Sequence, residues 1–156
     1  MRIVLRILKW IAIILFVVFV GIQFVRRALT NPPVDESQTI VARANVPPDV
    51  AAILERSCRD CHSNKTVWPW YTHVAPVSWW LKSHVDNGRK DLNLSEWGKL
   101  PRDRQDRKLR QMCDEVQDGN MPLASYLPMH PTAKLSDQDK RTLCAWTDQE
   151  REKVSQ

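Results

Sequence analysis

The 156-residue sequence is poor in glycine, with 4, and in cysteine, with 4, and its first 27 residues contain no Asp or Glu. So few cysteines in a chain this long cannot make a disulfide-built scaffold. No segment alternates apolar and polar residues as a half-buried strand does, and no internal repeat is present. The sequence also lacks a glycine-rich phosphate loop, a Ser-His-Asp order and a pair of carboxylates set up for acid–base chemistry, so no catalytic constellation stands out. What is there is globular in kind: 43% apolar residues, 26% charged residues and 10 Pro.

The net charge of +5 raises the question of nucleic acid, but its distribution answers it. Arg2, Arg6, Lys9, Arg26 and Arg27 flank one apolar segment; removing them from the 23 Lys and Arg leaves 18, equal to the 18 Asp and Glu. The remainder is neutral on balance and demands no nucleic-acid footprint.

Sixteen uncharged residues run from Trp10 to Val25. A helix from about Ile3 to Val25 would reach roughly 34 Å, enough for a hydrocarbon core of about 30 Å. Arg6 and Lys9 would snorkel and Trp10 would sit at the interface. A cleaved signal peptide and a buried soluble helix are the competing readings. The apolar run is long for the first, and Q-F-V-R-R-A-L-T offers no small-x-small cleavage site. The expectation is therefore a single-pass anchor over residues 1–27 in the inner (cytoplasmic) membrane. A slight excess of positive charge at the N-terminus places the C-terminal domain on the periplasmic, exported side. Residues 28–47, with three Pro and no clear period, read as a linker to a domain over 48–156.

That domain reads as all-α. Val50, Ile53, Leu54, Ser57, Cys58 and Cys61 share a face of a helix from Pro48 to His62. A second helix begins at Ala75 or Pro76 and ends near Val85 or Asp86, before Gly88. A third runs from Pro101 to Gly119, with Leu109, Met112, Cys113 and Val116 inward. A fourth starts at Ser136, with Asp139 completing a capping-box variant, and continues to about Lys153. Four short helices with long loops make a thin core, and a prosthetic group would supply the missing apolar volume.

Cys58, Cys61 and His62 form C-x-x-C-H, the attachment signature of c-type haem. Two thiols three residues apart on a helix share a face, so both can add to the vinyl groups along one porphyrin edge. The next residue, His62, supplies the proximal imidazole. Half a zinc site and a redox dithiol remain open. Zinc would require further ligands, and Cys113 and Cys144 are single and far apart; a dithiol of the thioredoxin type belongs in a βαβ context.

The segments C-R-D-C-H-S-N-K-T-V-W-P-W-Y (58–71), A-P-V-S-W-W (75–80), H-V (84–85), G-R (88–89), L-N-L-S-E-W (92–97) and M-P-L-A-S-Y-L-P-M-H-P-T-A-K-L-S (121–136) resemble the bacterial haem-binding domain family over roughly residues 45–150. These are small proteins, usually membrane-anchored, with one C-x-x-C-H. The resemblance implies covalent haem c. The stretch from G-N-M-P-L to the last helix is also similar to the end of class I cytochromes c, which implies a small cytochrome c-like helical domain with Met121 as distal ligand. Class I proteins place a small residue and an aromatic before the first Cys for close helix crossing. Val50, Ala51 and Leu54 stand there instead, so a looser crossing is expected.

His84, His73, Met129 and His130 are rival distal ligands, and a five-coordinate iron is a further alternative. Trp68, Trp70 and Trp80 are candidates for the haem-pocket wall, while Trp79, Trp97 and Trp146 read as core. Arg89 is the candidate propionate partner because its planar fork matches a carboxylate; Asn64 and Asn93 could bond the propionates or nearby backbone. Cys113 and Cys144 are either a disulfide or two buried thiols. The basic run at 102–110 is either a solvated helix face or a docking patch for an acidic redox partner. Two functions follow: a membrane-anchored electron carrier working with redox protein partners, or a haem enzyme or sensor with an open distal site.

Overall fold

The computed structural model describes residues 2–155, and among these there are helices and no strands, as expected. Helix α1 spans Arg2–Ile22, α2 Ile40–Arg43, α3 Pro48–Ser57, α4 Arg59–His62, α5 Val77–Asp91, α6 Arg102–Gln117 and α7 Asp137–Val154. Short 3₁₀ turns fill Glu36–Gln38, Trp70–His73, Leu94–Lys99 and Pro131–Ala133. The chain divides into two units. The smaller comprises the N-terminal part to Thr30 together with Val67–His84; the larger comprises Asn31–Thr66 and Val85 onward.

In the smaller unit, α1 has a mean hydropathy of 2.7 and buries none of its residues, so by length and composition it is able to cross a membrane. Just past it, the Gln23 amide grips one backbone position: Oε1 accepts from the Ala75 N–H (2.9 Å) and Nε2 donates to the Ala75 carbonyl (3.1 Å). Trp79 Nε1 donates to the Val25 carbonyl (2.8 Å). Trp79 is therefore a half-buried residue of this unit and not part of the main core where the sequence reading put it.

The core lies in the larger unit. Leu109 on α6 and Leu143 on α7 are fully buried, with Val50, Ile53 and Leu54 of α3, Trp97 and Trp146 around them. Each buried aliphatic side chain contributes roughly 1.5–3 kcal/mol. The Cys113–Cys144 disulfide and the Arg151–Asp106 ion pair (2.9 Å) join α6 to α7, and their order makes the two helices antiparallel.

Three boundaries differ from the sequence reading. Residues 28–47 are not a free linker: from Asn31 they belong to the larger unit, and Ile40 and Ala44 are buried in its core. One short helix contributes too few apolar residues to create a period. The helix from Pro48 to His62 is broken at Cys58 (φ −122°, ψ −35°). Beyond the break, the Arg59 and Asp60 carbonyls accept from the Ser63 and Thr66 hydroxyls, which closes α4 after one turn. Helix α5 passes through Gly88 to Asp91, for a packing reason given below.

The ends of α6 and α7 follow local rules. Gly119 follows the α6 C-cap with φ 75°, a left-handed conformation that glycine adopts without strain. At α7 the Ser136 hydroxyl accepts from the Asp139 N–H (3.1 Å), and Asp139 accepts from the Ser136 N–H (2.8 Å). That backbone bond, with Arg56 and the Ser136 hydroxyl, holds the Asp139 carboxyl at about 2. Ser136→Ala is expected to cost about 1 kcal/mol in urea unfolding. Because the folded-state value lies below the unfolded value of about 3.9, Asp139 stabilises fully above that pH and loses its contribution as pH falls through about 2. Asp139→Asn is therefore expected to lower the midpoint at pH 7 by more than at pH 2; equal losses at both would contradict this account.

Candidate functional site

The C-x-x-C-H turn sits where α3 ends. The Cys58 carbonyl accepts from the N–H groups of Cys61 (3.3 Å) and His62 (2.9 Å), so the turn stays helical across the break. Both cysteines are unbonded and partly buried. Burial, with the neighbouring thiol second, pushes Cys58 up to about 12; burial, with Asp60 second, pushes Cys61 up to about 11.

His62 is oriented by its backbone partner. Its Nδ1 lies 3.1 Å from the Leu92 carbonyl, which can only accept, so the ring proton belongs on Nδ1 and Nε2 keeps a free lone pair. Burial lowers the basicity of the imidazole, against the opposing pull of the Leu92 carbonyl, and favours the neutral ring that a metal needs.

The ring lines a cleft of about 200 Å³ in the larger unit. Cys58 and Met121 line the same cleft, with Leu92, Met112, Val116, Pro122 and Leu135 as apolar wall. Asp91, Lys108, Gln111 and Glu115 supply the polar lining; Lys108 Nζ donates to Asp91 (2.7 Å) and Gln111 (2.9 Å). Ser57 also lines the cleft, and its buried hydroxyl has no hydrogen-bond partner. Met121 is held by its backbone: its N–H donates to the Glu115 carbonyl near the end of α6 (3.1 Å).

Two residues that the sequence reading missed secure this arrangement. A Cβ on Gly88 would lie 2.7 Å from the Cys61 carbonyl oxygen, so α5 approaches the C-x-x-C-H turn as closely as backbone allows. This contact on α5 is separate from the looser crossing expected around Val50, Ala51 and Leu54, and it places Gly88 in mid-helix. Tyr126 donates its hydroxyl to Asp60 (2.8 Å), joining the segment after Met121 to the turn between the cysteines. Gly88 looks like a stop signal in sequence, and nothing in the pattern marks the Tyr126–Asp60 pair.

Arg89 is placed differently from the expectation. Its Nε donates to the Ser63 carbonyl (2.7 Å), and its Nη2 donates to Asn31 (2.6 Å) and Thr66 (2.7 Å). These bonds clamp the loop after His62 and commit the guanidinium elsewhere than to a cleft carboxylate. Asn93 donates to Asn64 (2.9 Å), whose own amide donates to Pro33 (3.3 Å), so both fasten the same loop. Trp68, Trp70 and Trp80 belong to the smaller unit, with Trp70 73% exposed. His73 and His84 are also there; His84 Nδ1 donates to the Trp80 carbonyl (2.9 Å) and its ring leans on the Trp80 indole. Met129 is exposed, and His130 stacks on Tyr126 at 3.8 Å. The basic run at 102–110 is largely exposed, and Arg107 and Lys108 pair with Asp103 and Asp91.

The donor set fits haem. An imidazole, a thioether and a thiol residue, His62, Met121 and Cys58, line one largely apolar cleft, and Cys61 lies on the same turn. Among the described residues no three His, Cys, Asp or Glu converge as a bare metal ion requires. A family model described as a haem-binding domain matches residues 17–149. No curated protein and no solved structure matches the chain.

Gly88→Ala tests the crossing. The added methyl has to displace backbone, for which overpacking costs about 1–3 kcal/mol. The expected result is a lower urea midpoint and a smaller haem-loaded fraction; an unchanged midpoint would show that α5 and the turn separate freely.

Proposed function

Since the chain belongs to the haem-binding domain family and is a haem-binding protein, we propose that it is a membrane-anchored monohaem c-type cytochrome that passes single electrons between exported redox partners. The observation that carries this reading is the cleft that His62 shares with Cys58 and Met121, the Nδ1 proton of the imidazole being engaged by Leu92 O.

Bound haem supplies a one-electron iron couple. The protein does the rest. Cys58 and Cys61 would hold the haem through two thioethers, each thiol S–H being the group that adds across a vinyl. His62 would supply an imidazole ligand, its tautomer set by the Leu92 carbonyl. Met121 would supply a thioether, a ligand that raises the reduction potential relative to a second nitrogen. Leu92, Met112, Val116 and Leu135 would supply the apolar wall of the cleft. Single-electron exchange with redox partners would need no acid or base from these residues.

Location follows the same reasoning. Residues 1–27 form an uncleaved anchor. It is supported by Gln23 and Val25, which are hydrogen-bonded to Ala75 and Trp79 and so belong to the folded unit. The exported side is supported by the Cys113–Cys144 disulfide, since such bonds persist in oxidising compartments.

The test is ligand binding by the reduced protein, purified with its haem. A firm Met121 ligand predicts no spectral change with carbon monoxide in the wild type and ready binding in Met121→Ala. Wild-type protein that binds carbon monoxide at once would overturn the assignment and favour an open-site enzyme or sensor.

A further inference from the structure

The smaller unit contains no acidic residue at all: neither the chain up to Thr30 nor Val67–His84 has an Asp or Glu, against six Lys and Arg. All 18 carboxylate side chains lie in the larger unit. The smaller unit also displays apolar side chains beyond the span itself: Phe24 is 83% exposed, Trp70 73%, Val67 56% and Trp80 45%. Trp in particular concentrates at the membrane–water boundary, where its ring is accommodated among headgroups.

A cavity of about 420 Å³ opens in this unit, lined by Arg26, Arg27, Gln23, Thr72 and His73 among others. Arg26 and Arg27 are exposed, and neither is paired with a carboxylate among the described residues. They lie within five residues of the end of α1 at Ile22, and the Gln23–Ala75 and Trp79–Val25 bonds fix the tryptophan-bearing segment at that same helix end.

We propose that the smaller unit is a bilayer-interface seat whose cavity takes the phosphate of an anionic phospholipid at Arg26 and Arg27, while Trp70 and Trp80 lie among the headgroups of the leaflet. The occupant follows from charge and continuity. Two unpaired guanidiniums in an acid-free unit select a phosphate, and the end of a membrane span places lipid phosphates within reach. The seat explains why a tryptophan-rich segment is left outside the main core. This inference rests on reading α1 as an uncleaved span.

The test uses the full haem-loaded chain in phosphatidylcholine nanodiscs, with and without phosphatidylglycerol, the lipids carrying bromine near the headgroup end of the acyl chains. Tryptophan emission in brominated discs is divided by that in unbrominated discs, which cancels quenching by haem. The difference between wild type and Trp70→Phe/Trp80→Phe isolates the seat; Trp10→Phe isolates the span. Expected are quenching assigned to Trp70 and Trp80 that increases with phosphatidylglycerol, and an Arg26→Gln/Arg27→Gln variant that needs about thirtyfold more of it, from roughly fivefold per lost surface cation. Quenching of Trp10 without any from Trp70 or Trp80 would overturn the seat and leave the span standing. An unquenched Trp10 would overturn both. Seat quenching indifferent to phosphatidylglycerol and to the arginines would overturn the phosphate site.

Discussion

The hydrogen bond from His62 Nδ1 to the Leu92 carbonyl ties the cysteine-bearing turn to the residue that follows α5. It determines which ring nitrogen is free, and therefore which side of the turn can serve as a ligand. The bond is possible only because α5 comes close, and α5 comes close because Gly88 places no side chain against the Cys61 carbonyl. Arg89, the next residue, uses its guanidinium to hold the loop after His62. One stretch of α5 therefore sets the position of the turn, the tautomer of its histidine and the path of the chain leaving it.

Another part of the cleft lining comes from a distant stretch of sequence. Met121 enters it from a loop anchored at the end of α6 and closed back onto the turn through Tyr126 and Asp60. Helix α6 is in turn fixed to α7 by a disulfide and an ion pair. In the proposed His62–Met121 ligation, the two donors thus belong to elements cross-linked around the slot. This arrangement suits an electron carrier, whose ligands should not rearrange when the iron changes oxidation state.

Features governed by neighbouring residues were legible in the sequence. The C-x-x-C-H spacing, the Ser136–Asp139 capping box and the Gly119 stop each involve chemistry within a few residues. Features governed by tertiary contact were not. Gly88 carries the same local signal as Gly119, yet one is packed in mid-helix and the other ends a helix. Ile40 and Ala44 are too isolated to reveal that the presumed linker is core. Arg89 has the right functional group for a propionate, but loop contacts from Asn31, Ser63 and Thr66 claim it, and these residues are distant in sequence. Trp68, Trp70 and Trp80 read as candidate pocket wall and Trp79 as core by composition alone; the contacts of Trp79 with Val25 and of Gln23 with Ala75 assign their segment to the end of α1.

The central claim, that the Cys58–His62 turn holds haem covalently, is tested most directly by intact mass. The full chain is made in an exporting host with haem-c maturation, then denatured and extracted with acidified organic solvent before weighing. The account predicts a mass higher by one haem that survives extraction and is lost when Cys58 and Cys61 are both changed to Ala. A coloured protein whose haem is extracted to leave the bare chain mass would contradict it.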